Sequence, residues 1–435
     1  MRYGLLTLLL LWSLIAAPVG AQPLSLTAAY ESALQRNFEL QSQQYSYRAK
    51  KAGVREAWGG VLPQVDATAS YGTSEYTRDF DLQRSVTGRD EHTRYDVSLN
   101  QVIYSERAFE AISRAKASKQ LAEEQLDTLS IKIGYTAIEA FLRARSIGAE
   151  KRIVENEQSS HEQRLEQIEQ MRQRGFASKA DYLDARARLD ETRAELAGLK
   201  HDYQAALKKL EAVIGISLQG RELKPLGLDL WKRTPSLLKT EWKTVAAENA
   251  GAIRRARKEL ELARATREKE SGAHWPELYL SASYSNNDTF ATSLREEARV
   301  ELQLRVPLYK GGSTSARVRR AKQEQYAAKY MLRDAENQVG VEVSRITEEL
   351  QGSYSRIKSL ETAEQSAEAA LKAAEEGFRG GVRSLNDVLD SRTRLSDIRR
   401  NLVTEVYTNH ILQFELYYVS GTLSEQEVRS VASVE

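Results

Sequence analysis

The chain is written twice. The segment Arg174-Gly-Phe-Ala-Ser-Lys-Ala-Asp-Tyr-Leu-Asp-Ala-Arg-Ala-Arg-Leu189 returns as Gly380-Gly-Val-Arg-Ser-Leu-Asn-Asp-Val-Leu-Asp-Ser-Arg-Thr-Arg-Leu395, with Gly, Ser, Asp, Leu, Asp, Arg, Arg and Leu in register. Upstream, Pro63-Gln-Val-Asp-Ala-Thr-Ala-Ser-Tyr71 answers Pro276-Glu-Leu-Tyr-Leu-Ser-Ala-Ser-Tyr284. Solenoid repeats recur every ~20–50 residues, and this spacing is several times longer. The sequence therefore predicts two copies of one large unit, 22–216 and 242–421. Between them, 217–241 holds Pro225, Gly227 and Pro235 and reads as a linker with a short helix. Residues 422–435 read as a loose polar tail.

Each unit reads helix, strand, strand, helix, turn, helix: an α+β chain, mainly α. In the first, helix 26–58 is stopped by Gly59-Gly60 and Pro63, and strands follow at 64–76 and 93–104. The stretch 105–172 has no proline and would run ~100 Å as helix. Leu126, Leu129, Ile133, Ala137, Ala140, Ala144 and Ile147 keep one apolar face along it. Gly175 breaks it, and a returning helix covers 178–214. The second unit repeats the order: helix 242–271, strands 277–286 and 298–309, a corner at Gly311-Gly312, a long helix 313–378, a break at Gly380-Gly381, and a return helix 384–418.

The strands alternate with period two. Val65, Ala67, Ala69 and Tyr71 alternate with Asp66, Thr68 and Ser70, and Leu278, Leu280, Ala282 and Tyr284 with Tyr279, Ser281 and Ser283. Val97, Leu99, Gln101 and Ile103 face away from Asp96, Ser98 and Asn100, and Leu302, Leu304, Val306 and Leu308 away from Glu301, Gln303 and Arg305. One face is apolar and one wet. That pattern suits a membrane barrel with a water-filled lumen; a half-buried soluble sheet on the long helices is the alternative. Four strands cannot close a barrel, because barrels begin at about eight. A membrane sheet keeps no open edge, so sister copies must complete it. Two copies would supply eight strands and no channel; three would supply twelve. The polar, charged tips 72–92 and 285–297 read as extracellular loops.

Residues 1–21 read as a secretory signal: Arg2, an apolar run from Leu5 to Ile15, and the small-residue site Val19-Gly20-Ala21. The apolar run is short of the ~20 residues that span a bilayer. The chain has no cysteine, hence no disulfide framework and no thiol for lipid attachment. A net charge of +2, from 63 basic and 61 acidic residues, argues against nucleic acid as a partner.

Taken together, the repeat, the signal, the long helices and the strand pairs resemble the TolC family of outer-membrane efflux and type I secretion proteins. The carriers are Leu26-Thr27 through Asn37, Leu62-Pro63, Trp275-Pro276, Val306-Pro307-Leu308-Tyr309-Lys310-Gly311-Gly312, and Gly381-x-x-Ser384-x-x-Asp387-Val-Leu-Asp390. The resemblance covers essentially the whole chain after the signal. It implies a homotrimer in the outer membrane of a Gram-negative bacterium. Its twelve-stranded barrel would continue as a periplasmic helical tunnel that meets an adaptor protein and an inner-membrane transporter. By the same resemblance Asp387 and Asp390 match acidic rings at the periplasmic entrance, Arg383 a constricting arginine, and Asp181 its partner on the facing hairpin; Asp184, like Asp390, lies one turn further in, where capping does not explain an acid. Arg174, Gly175, Phe176, Gly380, Gly381 and Val382 match the hairpin tips where adaptors dock. Two positions depart from the family: Phe378 stands where it has a tyrosine, and Ala180 where it has a polar partner for the arginine. A direct Arg383–Asp181 pair is the expectation that follows. Capping is the competing reading of two of the acids, since Ser178-x-x-Asp181 and Ser384-x-x-Asp387 are both capping-box patterns.

Nothing points to catalysis, a cofactor or a metal. The five histidines, His92, His161, His201, His274 and His410, are scattered, without H-E-x-x-H spacing. Lys310-Gly311-Gly312-Ser313-Thr314 places its lysine on the wrong side of the glycines for a phosphate loop. The remaining rival is a soluble periplasmic coiled-coil or adaptor protein, which would carry one helical hairpin where this chain carries two. Cargo is open between small molecules and secreted protein; the missing lipid-attachment cysteine favours the protein-secretion branch.

Overall fold

The computed structural model describes residues 23–80, 84–218, 221–288 and 296–432. The signal 1–21, most of the 285–297 tip and the last three residues lie outside them. The first unit contains α1 (Leu26–Arg36), α2 (Phe38–Gly59), β1 (Gln64–Phe80), β2 (Arg84–Ser105), α3 (Glu106–Gln173) and α4 (Lys179–Ile214). A 3-10 turn (Leu228–Arg233) and the short α5 (Thr234–Leu237) follow in the linker. The second unit contains α6 (Trp242–Asn249), α7 (Gly251–Gly272), β3 (Glu277–Asp288), β4 (Glu296–Arg305), α8 (Ser313–Arg379) and α9 (Leu385–Ser420), and α10 (Glu425–Ala432) ends the chain.

Both first helices are broken where the sequence predicts one piece. Asn37 divides 26–58: its N–H bonds the Ala33 carbonyl, and its Oδ1 accepts the N–H groups of Glu39 (2.9 Å) and Leu40 (3.2 Å). One residue closes α1 and caps α2. Ala250 makes the matching break with no side-chain cap. Each returning helix docks on the break of its own unit. Gly215, at φ 67°, ends α4 where a Cβ would lie 3.0 Å from Arg36 Cβ. Gly421, at φ 74°, ends α9 where a Cβ would lie 2.0 Å from the Asn249 carbonyl. Glycine is required there for conformation and for space.

α3 and α8, of 68 and 67 residues, run unbroken, about 100 Å each. They pack antiparallel against α4 and α9 as two long hairpins.

The strands form one antiparallel sheet in the order β1-β2-β3-β4. Its register lines up the apolar residues in rows. Val65 lies opposite Leu99, Leu99 opposite Ala282, and Ala282 opposite Val300; Ala67, Val97, Tyr284 and Ala298 form the next row. The other face carries Asp66, Ser98, Ser283 and Arg299 in one row. The apolar face is uncovered: Val300, Leu302 and Leu304 are 75%, 66% and 64% exposed. A bulge between Val102 and Tyr104 puts Tyr104, not Ile103, opposite Leu278. The expected loop 72–92 is instead ladder, paired from Gly72↔His92 to Phe80↔Arg84. Its polarity hid a hairpin whose backbone bonds are satisfied across the pair. Strand β4 stops at Arg305, before Val306 and Leu308.

The main core is a belt around the middle of the helices. Leu26, Ala29 and Ala33 of α1 meet Ile138, Phe141 and Leu142 of α3, Leu210 and Ile214 of α4, and Tyr407 and Phe414 of α9. The linker joins it through Leu223, whose neighbours Glu222 and Lys224 bond Leu24 at 2.8 Å each. The expected loose tail is the amphipathic α10, which buries Val428 and Val431 in the same belt and pairs Arg429 with Glu31 at 3.3 Å. A buried polar set links linker to hairpin. Thr234 donates to Asn409 Oδ1 (3.1 Å), Gln413 to the Leu230 carbonyl (3.1 Å) and to Asn409 Oδ1 (2.8 Å), and Asn409 to Ser353 Oγ (3.3 Å).

His410 is fully buried beside Tyr407, and neither ring nitrogen has a partner in the structure. Burial holds its pKa down at about 3, against 6.5 when unfolded. The unfolded chain therefore binds a proton that the folded chain refuses. His410 costs nothing above pH 6.5 and destabilises the fold progressively as pH falls toward about 3, by about 1.4 kcal/mol per pH unit. His410→Phe is expected to flatten the dependence of the thermal midpoint on pH between 6.5 and 4. An unchanged slope would assign the acid sensitivity elsewhere.

Candidate functional site: the hairpin ends

Each long hairpin turns by the same short construction. At the end of α3, Phe176 N–H bonds the Met171 carbonyl (2.8 Å) and Gly175 N–H the Arg172 carbonyl (3.0 Å). At the end of α8, Val382 N–H bonds Gly377 (2.9 Å) and Gly381 N–H bonds Phe378 (3.1 Å). Gly175 and Gly381 hold φ of 80° and 72°. These are paired Schellman closures. One residue later a capping box opens the return helix. Ser178 Oγ accepts Asp181 N–H (3.1 Å) while Asp181 accepts Ser178 N–H (2.9 Å); Ser384 and Asp387 repeat this at 3.2 and 2.9 Å. Both carboxyls are held below their ordinary range, chiefly by the serine backbone N–H and then by its hydroxyl. The caps are thus complete above about pH 3.8 and are lost as pH falls through the lowered values.

Capping therefore accounts for Asp181 and Asp387, though Asp387 also has Arg383 at 4.0 Å. The Arg383 stem folds back across the end of α8, and a Cβ at Gly377 would lie 2.7 Å from its Cγ. Within the chain, Arg383 and Asp181 form no ion pair among the described residues. Asp184 is exposed on α4. Asp390 is taken by Arg188 of α4, although sequence spacing offers Asp184 to that arginine at i, i+4. Phe378 lies under the Arg164 guanidinium of α3, 5.2 Å from ring centroid to Cζ. At the tips, the equivalent residues Phe176 and Val382 are 77% and 82% exposed.

Sequence reading missed the cross-ties that hold the two hairpins together. Besides Arg188–Asp390, Glu195 of α4 pairs with Arg400 of α9. Beneath them, Ser396 of α9 donates to the buried Glu157 of α3. Within the first hairpin, His161 Nδ1 meets Thr192 Oγ1 at 3.0 Å between α3 and α4. Burial lowers the His161 pKa against the opposing pull of Glu157. Lone polar residues on an apolar stripe were the available signal, but they do not name their partners.

A family model, described as outer membrane efflux protein, matches residues 29–216 and 242–422. The chain belongs to the outer membrane efflux protein family. The matched segments are the two units, and the linker 217–241 falls wholly between them. Among curated relatives, the proteases secretion protein PrtF of Dickeya chrysanthemi is 24% identical, covering 95% of this chain and 91% of the relative. The outer membrane protein TolC of Vibrio cholerae is 25% identical, covering 94% and 93%. The alkaline protease secretion protein AprF of Pseudomonas aeruginosa is 24% identical, covering 86% and 77%. Among solved structures, the outer membrane protein VceC of Vibrio cholerae superposes with a TM-score of 0.78 at 18% identity, over 91% of this chain and 96% of that one. CusC gives 0.79 at 16%, over 91% and 92%. This efflux-family chain has the α+β channel-tunnel fold, resides in the outer membrane of a Gram-negative cell, and is an export conduit with no enzymatic step. The soluble adaptor reading is thereby set aside.

Ser384→Ala removes the oxygen that caps Asp387. Amide exchange at Asp387 is expected to rise about fivefold, from the ~1 kcal/mol a serine cap supplies, with the belt amides unchanged. Equal protection in the variant would show that the carboxylate side of the box suffices.

Proposed function

We propose that three copies of this chain assemble into one outer-membrane duct. A periplasmic adaptor and an inner-membrane transporter serve it, and the transporter supplies all the energy. The observation that carries this reading is the four-stranded sheet: one apolar face in register, one polar face, and outer edges of β1 and β4 that pair with nothing among the described residues. Outer-membrane lipid would cover the apolar rows, and sister strands would take the edges. Twelve strands leave room for a lumen where eight do not. Protein cargo is favoured because two of the relatives, PrtF and AprF, are named for protease secretion.

At the periplasmic end, the hairpins of neighbouring copies would bring Asp181, Asp184, Asp387 and Asp390 around one axis. Such a ring draws cations into a narrow mouth. Arg383 would reach Asp181 of the adjoining hairpin and hold the mouth shut. The tip residues Arg174, Gly175, Phe176, Gly380, Gly381 and Val382 would meet the adaptor, with Phe176 and Val382 supplying the apolar contact.

Detergent-extracted protein is expected to run as a trimer by native mass spectrometry; a stable monomer without detergent would refute assembly. In planar bilayers, Arg383→Ser is expected to raise single-channel conductance severalfold. Unchanged conductance, with unchanged leak of large antibiotics, would remove Arg383 from the gate while leaving the trimer intact.

A further inference from the structure

One cavity is lined by none of the proposed gate or tip residues. It lies at the belt, between α3, the C-terminal part of α4, Leu218 and the stretch Arg221–Leu223, and encloses about 510 Å³. That volume falls in the range of small-molecule sites, roughly 300–1,000 Å³. Five basic side chains line it against three carboxylates. Two carboxylates are already used. Glu155 pairs with Lys151 at 3.5 Å, and Glu211 takes Lys208 (2.7 Å) and the Leu218 N–H (2.6 Å). Glu222 stands exposed at the rim.

The three arginines are left over. Arg145, Arg152 and Arg221 make no ion pair among the described residues. Arg145 is only 8% exposed; one terminal nitrogen reaches the Leu223 carbonyl at 3.1 Å, and its buried Nε has no partner in the structure. A guanidinium buried with no counter-charge is costly, and a bound anion would offset that cost. Tyr203 forms one wall, with the Lys151 ammonium 5.3 Å from its ring centroid. The fields of Arg145 and Arg152 oppose the effect of burial on its hydroxyl, while Glu222 adds to it. The two guanidinium groups therefore act on the same space.

We propose that this cleft binds a water-borne phosphate monoester, its phosphate held by Arg145, Arg152 and Arg221 and its carbon frame against Tyr203. A phosphate carries close to two negative charges at neutral pH, which matches the surplus of two among the lining side chains. Forked guanidinium groups suit its oxygens better than ammonium groups do. A lipid headgroup of the membrane that holds the sheet is out of reach, since Arg145 lies about 60 Å along α3 from Glu106 at the sheet.

Calorimetric titration of the full chain in detergent, with glucose 6-phosphate as probe and glucose as control, tests this at fixed ionic strength. Saturable binding of the phosphate ester and none of glucose is expected. The exposed pair Arg152→Gln with Arg221→Gln should weaken it at least about tenfold with the thermal midpoint of the unliganded protein unchanged. No saturation by the unaltered protein up to ~10 mM, or equal affinity in the double variant, overturns the proposal. The titration involves no transport, so it stands or falls separately from the duct.

Discussion

Backbone groups at the edges of the β1–β4 sheet dominate this molecule. In hydrocarbon, an N–H or C=O without a partner costs several kcal/mol, and a strand edge presents a row of them. The chain supplies two hairpins, one per unit, and stops at four strands. Its register carries two apolar rows across both units, one from Val65 to Val300 and one from Ala67 to Ala298. That continuity matters because a slip of one residue would turn every row to the wrong face. The bulge at Val102–Tyr104 lies at the helix end of the sheet, where strand gives way to α3. There Gln101 donates to the Val61 carbonyl at 2.7 Å and closes the corner.

The same economy shapes the helices. Each unit breaks its first helix and seats the left-handed cap of its last helix on the break. The two halves thus share a joint, not only a sequence echo. The belt core forms where α1, α3, α4, α9, the linker and α10 converge. Buried Thr234, Asn409 and Gln413 satisfy one another there, and mutual satisfaction lets polar groups specify one packing without leaving orphans.

Much of this was legible in residues. Duplication showed in Gly175/Gly381 and Ser178/Ser384, because turns and caps demand particular side chains. Period-two alternation exposed the sheet, and unbroken stretches without proline exposed α3 and α8. Three features were hidden for physical reasons. The break at Ala250 carries no capping side chain, so nothing local marks it. The outer parts of β1 and β2 are polar on both faces, which in a sequence looks like loop. The tail helix α10 is short, and its Val428 and Val431 make sense only once the belt that receives them is known. At the hairpin ends the residue types were readable and the partners were not: Asp390 belongs to Arg188 on the other hairpin, and Phe378 to Arg164.

Stability is distributed unevenly along the length, and that bears on how a mouth could open. At the belt, large side chains such as Phe141, Tyr407 and Phe414 are sealed from water, so a hairpin cannot slide there without opening voids that cost several kcal/mol. Toward the tips the ties between hairpins change character. Arg188–Asp390 is largely solvent-exposed and Glu195–Arg400 partly so, and pairs of that kind contribute only ~0–1 kcal/mol each. Glu157–Ser396 is a buried tie from α3 to α9, and His161–Thr192 a buried tie from α3 to α4 within the first hairpin. The tips themselves are locally stiff, each with two closing bonds and a capping box. With a stiff tip at one end and a dry belt at the other, these exposed ion pairs are the ties between the hairpins that cost least to break.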